Sequence, residues 1–311
     1  MTNTRFDLTR RAMLAALGAA GLAAALKPAS ARADDAEILT RAIPKTGERL
    51  PAIGMGSWIS FNVGDDETLR AARAEVLRAF FAGGGALIDS SPMYGSSQAV
   101  IGDCLGRLGR PPAFTATKVW HLLQGSGIEQ MAEARALWGV ERFDLMQVHN
   151  LLNWEGHLET LIKDKAEGRV RYIGMTTSHG SRHDEMEAIM TSRAEIDAVQ
   201  FTYNVLDREA EARLLPLAAE KGLAVIVNRP FRRGALFERV AGHALQGWAA
   251  ELGATSWAAV FLKFALSHPA VTCVIPATSR VDHMHENMAA LLGPMPDQAL
   301  RRRMIAHVES L

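Results

Sequence analysis

The 311-residue sequence predicts an α/β fold: a (β/α)8 barrel of the TIM type with an N-terminal β-hairpin cap. Three observations predict it. Short apolar runs of strand type alternate eight times with helix-type segments. The connections are mostly short, so one domain without linkers is expected. Several runs end on a polar side chain, as strands of a parallel barrel do when they deliver chemistry at their C-terminal ends. The composition, 48% hydrophobic and 22% charged, is ordinary for a globular protein and calls for no special class.

The N-terminus reads differently. TRRAML (9–14) is followed by LGAAGLAAAL and then ASARA. A twin arginine, a modest apolar stretch and an A-x-A site at Ala31-Arg32-Ala33 make a twin-arginine signal peptide over residues 1–33. The apolar run from Ala12 to Leu26 is short for a membrane span and rich in Ala and Gly. Cleavage after Ala33 then leaves one domain, 34–311, exported folded to the periplasm with no stable membrane insertion. The export machinery is the expected partner. Residues 1–33 hold five basic side chains and one acidic one, a net of +4, so the remainder of this neutral chain carries −4. No basic patch argues for nucleic acid. Arg301-Arg302-Arg303 is expected in the last turn of a C-terminal helix, where cations suit the dipole.

TRAIPKTGERLP (40–51) reads as a hairpin turning near Lys45–Gly47, placed to cap the bottom of the barrel. The eight strand runs are 53–58, 86–90, 114–119, 144–149, 172–177, 198–203, 224–229 and 271–276. Helices are expected at 67–82, 98–108, 128–137, 158–167, 183–190, 209–221, 249–266 and 282–291. Ser96 and Ser97 are N-cap candidates for the second of these. Gly168 and Gly222 sit where glycines that end helices belong, and GGG (83–85) is a helix stop rather than a phosphate cradle. The longest connection, 230–248, follows the seventh strand and is expected to fold over a cofactor. Cys104 and Cys273 lie in no metal spacing and are expected as buried free thiols.

Four polar residues at successive strand ends carry the chemistry: Asp89 in ALIDS (86–90), Tyr94 in the adjoining SPMYGSS (91–97), Lys118 in FTATKVW and His149 in DLMQVHN. Singly each has a bland reading as a cap, rim or structural residue. Together they make a proton donor for a carbonyl. A free phenol is a poor acid at neutral pH. A buried ammonium beside it is expected to lower its pKa, and a carboxylate to hold the ammonium. A neutral imidazole can hydrogen-bond the carbonyl oxygen.

These residues and their neighbours resemble the aldo/keto reductase family. GMGSW (54–58), GGGALIDS (83–90) running into SPMYGSS (91–97), ATKVW (116–120), LMQVHN (145–150), GRVRYIGMTTS (168–178), VQFTYN (199–204) and VIPATSRVDHMHEN (274–287) match the family's motifs in order. The resemblance implies that Tyr94 is the general acid, that Lys118 and Asp89 tune it, and that His149 orients the carbonyl. It implies NADPH, with NADH possible, as the hydride source that no side chain supplies. By the same resemblance Gly56, Ser57 and Trp58 border the cofactor, and Thr176, Thr177 and Gln200 hold the nicotinamide carboxamide. Pro230, Phe231, Arg233 and Gly234 border the pyrophosphate, and Asn228 and Arg229 stand where a platform for the nicotinamide is expected. Thr278, Ser279 and Arg280 face the 2′-phosphate, and Glu286 with Asn287 face the adenine. Trp58, Met93 and Trp120 are the expected substrate contacts.

The sequence departs from the family at several of these positions. Thr176-Thr177 stand where Ser-Asn is usual, and Asn228-Arg229 where Tyr-Ser is usual. Ala277 and His283 replace a common Lys and Arg. The reading is therefore a monomeric NAD(P)H-dependent reductase of aldehydes or ketones. Its alternative is a non-turnover nucleotide-binding sensor or partner-binding barrel in the periplasm. A metal-dependent hydrolase is disfavoured, because no second His or carboxylate shows ligand spacing.

Overall fold

The structure is a computed structural model and describes residues 37–311. The twin-arginine segment and the boundary after Ala33 lie outside the described residues. The expected hairpin is present: β1 (Thr40–Ala42) pairs antiparallel with β2 (Arg49–Pro51) around Lys45–Gly47. Eight parallel strands follow in chain order: β3 (Met55–Gly56), β4 (Leu87–Asp89), β5 (Phe114–Val119), β6 (Phe143–Val148), β7 (Val170–Thr176), β8 (Ala198–Thr202), β9 (Ala224–Asn228) and β10 (Val271–Val274). Each pairs with the next, and two parallel bridges, Ile53 to Val274 and Gly56 to Ala277, join the first strand to the last.

The barrel interior changes character along its axis because strand side chains alternate with period two. Its lower part is an apolar cluster that includes Leu87, Phe114, Ala116, Leu145, Tyr172, Ala198, Ala224, Ile226 and Cys273. Ile43 and Leu50 of the hairpin belong to the same cluster, so the hairpin plugs the bottom. Below it Glu48 accepts from the Tyr172 hydroxyl at 2.6 Å and pairs with Arg171 at 2.5 Å. Two residues further up each strand the interior turns polar: Asp89 follows Leu87, Lys118 follows Ala116, Gln147 follows Leu145 and Gln200 follows Ala198. A larger apolar cluster fills the space between strands and helices.

The first helix, α1 (Glu67–Ala82), has the predicted bounds, with Asp66 as its cap. α2 (Ser97–Arg107) starts after Ser96, but Ser96 does not cap it. Its hydroxyl instead donates to Asn62 and accepts from the Gly64 amide. α3 (Gln124–Trp138), α4 (Trp154–Ala166) and α5 (His183–Ser192) begin at or before their expected starts.

Two expected helices are broken. The 209–221 segment is a 3-10 turn, Glu209–Glu211, followed by α6 (Leu214–Lys221). Pro216 explains the break: its ring would clash with the carbonyl four residues back, so it fits only in the first turn of a helix. The 249–266 segment splits into α8 (Trp248–Glu251) and α9 (Trp257–Leu266) at Gly253, which has left-handed backbone (φ 62°), and Ser256 caps the second piece. The 230–248 connection is not all loop; it holds the short helix α7 (Ala235–Arg239).

The chain closes with α10 (Val281–Ala289) and α11 (Gln298–Ser310). Arg301 lies in the first turns of α11, not the last. It anchors the helix to the barrel wall, donating to Phe264 O at 2.7 Å, the Tyr203 hydroxyl at 2.5 Å and Glu211 at 2.6 Å. Both thiols are buried and unbonded to each other, and burial pushes Cys104 up to about 12.

Candidate active site

Asp89 and Lys118 meet at the top of the barrel as a buried ion pair, each 1% exposed. The Lys118 ammonium also donates to Ser90 O at 2.9 Å. The second Asp89 oxygen, Oδ2, accepts from Gln147 Nε2 at 2.9 Å and from Gln200 Nε2 at 3.1 Å. Gln147 is not among the residues that the sequence singles out. It registers opposite Lys118 on β5 and opposite Gly174 on β7. A Cβ on Gly174 would come 2.8 Å from Gln147 Cγ, so the glycine makes room for this amide.

Tyr94 sits on a 3-10 turn, Pro92–Tyr94, just beyond β4. The Lys118 ammonium lies 5.3 Å from its ring centroid. The His149 ring meets it edge-on, with centroids 5.8 Å apart. Among the described residues no group hydrogen-bonds the Tyr94 hydroxyl. The four strand-end residues are thus brought together.

Their electrostatics differ from expectation in one respect. Burial and then the Asp89 charge raise the Tyr94 pKa well above the phenol value. Burial is the larger cause, because it takes water away from the phenolate that ionisation would form. Burial lowers the Lys118 pKa, opposed by Asp89. Burial and then Lys118 push His149 down to about 3, so its imidazole is neutral at physiological pH. The loop after β6 holds this histidine with unusual backbone: Asn150, Leu151 and Asn153 all have positive φ.

The expected cofactor residues fall into two groups. Those near the tetrad are tied into the fold. Ser57 Oγ lies 2.9 Å from both Asp89 O and Ser90 Oγ, so its single proton goes to the carbonyl and it accepts from the Ser90 hydroxyl. Thr176 accepts from the Asn150 amide at 3.0 Å. Gln200 braces Asp89, and Asn228 donates to Thr177 O at 2.9 Å while accepting from Thr202 at 2.8 Å. Among the described residues, two buried polar atoms of this region have no partner: Thr177 Oγ1 and Arg229 Nε. The others lie further out. Arg229, Arg232 and Arg233 all have left-handed backbone, and Arg233 stacks over Trp58 at 4.2 Å. That stack joins the loop after β9 to the loop after β3. Arg280 is paired with Asp282 through both carboxylate oxygens. Thr278 and Asn287 are buried, whereas Ser279 and Glu286 are exposed. Met93 (45% exposed) and Trp120 (40%) rim the mouth together with the partly buried Trp58.

The sequence matches the aldo/keto reductase family over residues 52–303. The chain belongs to that family. It is 27% identical over 256 residues to the methylglyoxal reductase YeaE of Escherichia coli, covering 78% of this chain and 86% of the relative. It is 27% identical over 182 residues to the NADH-specific methylglyoxal reductase of the same organism, covering 48% of this chain and about half (53%) of the relative. In fold it is similar to an aldo-keto reductase from Klebsiella pneumoniae solved in complex with NADPH, with a TM-score of 0.71, 22% identity and coverage of 88% of this chain and 95% of that one.

The depressed His149 pKa sets a pH dependence. With His149 neutral above about pH 3 and Tyr94 protonated throughout, kcat/KM for carbonyl reduction should be flat from roughly pH 5 to 8. A pH–rate study checks this. A limb near the ordinary histidine value that vanishes in His149→Gln would mean His149 is not held neutral.

Proposed function

We propose that this aldo/keto reductase reduces an aldehyde or ketone to an alcohol with NADPH or NADH, with Tyr94 delivering the proton to the carbonyl oxygen. The observation that carries the reading is the buried Asp89–Lys118 pair packed under Tyr94, with a neutral His149 at its edge. When bound, the reduced nicotinamide supplies the hydride, which no side chain can. His149 offers an N–H to the carbonyl oxygen and orients it toward Tyr94. Tyr94 stays protonated in the resting site and gives up its proton only as negative charge develops on that oxygen. The Lys118 ammonium sits 5.3 Å from the Tyr94 ring centroid, beside the place where that charge appears. Asp89 keeps Lys118 fixed.

The residues fit a nicotinamide dinucleotide. The unpartnered Thr177 hydroxyl and Arg229 Nε can each make a hydrogen bond to it, and Arg229 and Arg233 offer charge for phosphates, whereas Arg232 is paired with Asp207 at 3.0 Å. Met93, Trp120 and Trp58 supply apolar contacts for a substrate at the mouth. A short dicarbonyl such as methylglyoxal is a fitting first probe, given the relatives. We also place NADPH and NADH close together as cofactors. Arg280, the residue suited to a 2′-phosphate, is already neutralised by Asp282, and Ala277 adds no second cation. Export by the twin-arginine route and action as a monomer in the periplasm complete the proposal. The export part is supported by Arg10-Arg11, the apolar stretch 12–26 and Ala31-Arg32-Ala33.

Two measurements test these points. With methylglyoxal, kcat/KM for NADPH and for NADH should agree within about tenfold, and Tyr94→Phe should lower both by roughly 10²–10⁴. Full activity in Tyr94→Phe would remove the proton-donor role. Changing Arg10 and Arg11 together to lysine should leave the protein in the cytoplasm on cell fractionation. An unchanged periplasmic fraction would remove the export reading.

A further inference from the structure

Ser91, two residues after Asp89, touches the elements that carry both Tyr94 and His149. Its hydroxyl oxygen lies 2.8 Å from His149 Nδ1. It also accepts the backbone N–H of Met93 at 3.2 Å, which caps the 3-10 turn that ends in Tyr94. Ser91 is fully buried, and His149 nearly so.

A hydroxyl has one donor and two acceptor sites. The Met93 amide fills one acceptor site. The hydroxyl proton needs an acceptor, and among the described residues the Nδ1 lone pair is the one bonded to it. Neighbouring Ser90 is engaged elsewhere, with Ser57. The reverse arrangement, Nδ1–H donating into Ser91, would leave the serine proton buried without a partner, which protein interiors avoid. We infer that Ser91 donates to His149 Nδ1 and so fixes the ring as the Nε2–H tautomer.

That tautomer leaves His149 with one N–H for a substrate oxygen and none spent on the protein. Nε2 has no hydrogen-bond partner among the described residues. A ring in the other tautomer would present a lone pair to the carbonyl oxygen and repel it. Ser91 is therefore a positioning residue. It sets the proton inventory of the imidazole and, through the cap, the placement of the phenol. The tautomer stands on geometry alone; its catalytic consequence rests on the carbonyl-reduction reading.

The test is long-range 1H–15N correlation of the histidine-15N-labelled full chain at pH 7, with the His149 signals assigned by their loss in His149→Gln. In the wild type Nδ1 should be the unprotonated nitrogen and Nε2 the protonated one. In Ser91→Ala the ring should become a mixture of tautomers. With methylglyoxal and NADPH, kcat should fall roughly tenfold while KM changes less than about twofold. Ser91→Thr, which restores the hydroxyl, should return the tautomer and most of kcat. A protonated Nδ1 in the wild type overturns the inference without recourse to any variant. So does an unchanged tautomer in a folded Ser91→Ala. The spectra need no turnover, so a chain with the Nε2–H tautomer and no reductase activity would sink the carbonyl reading and leave this inference standing.

Discussion

A carboxylate and an ammonium taken out of water together constrain everything at the top of this barrel. Asp89 and Lys118 are each 1% exposed, and neither can be left without the other. Removing two charges from water is expensive, and their attraction compensates only if the remaining lone pairs and protons are satisfied. Here most of them are. Ser90 O takes a second of the three ammonium protons, and two glutamine amides donate to the second carboxylate oxygen. Those amides come from β6 and β8, so the pair ties non-adjacent strands together. Gly174 and the apolar interior below it follow from the same requirement, since the network must sit in one layer with dry packing beneath.

The neutral groups of the site owe their state first to burial. Burial, with Asp89 adding to it, keeps Tyr94 protonated, and burial, with Lys118 adding to it, keeps His149 neutral. The result is a phenol that holds its proton until charge develops beside it and an imidazole that can only share a hydrogen. The unusual backbone after β6, with three positive-φ residues between 150 and 153, is a local cost of aiming His149 at this layer.

Much of this is legible in the sequence because strands write their inside and outside in alternate letters. Leu87-x-Asp89, Ala116-x-Lys118 and Leu145-x-Gln147-x-His149 put the polar residues on one inward face by their spacing alone. Gln147 falls in the same count, but an amide has no titration to draw attention. Ser91 is hidden for a similar reason: nothing in the run from Asp89 to Pro92 says which of two serine hydroxyls reaches a histidine 58 residues away. The direction of the Tyr94 shift is not legible, because it depends first on how deeply the fold buries the phenol. The break in the 209–221 segment has a local signal of its own, since Pro216 forbids a continuous helix there. The place of Arg301 has none, because a dipole argument needs to know where α11 begins.

The central claim is that Asp89 and Lys118 act as a unit, and a double-mutant cycle on stability tests it most directly. Urea unfolding would be measured for the wild type, Asp89→Asn, Lys118→Met and the double variant. Each single change leaves a buried charge unpaired and should remove about 3–5 kcal/mol. The double change removes both charges together and should lose far less than the sum of the two, a coupling of roughly 2 kcal/mol or more. Additive losses would contradict the account, because they would mean that neither charge depends on the other for its place in the barrel.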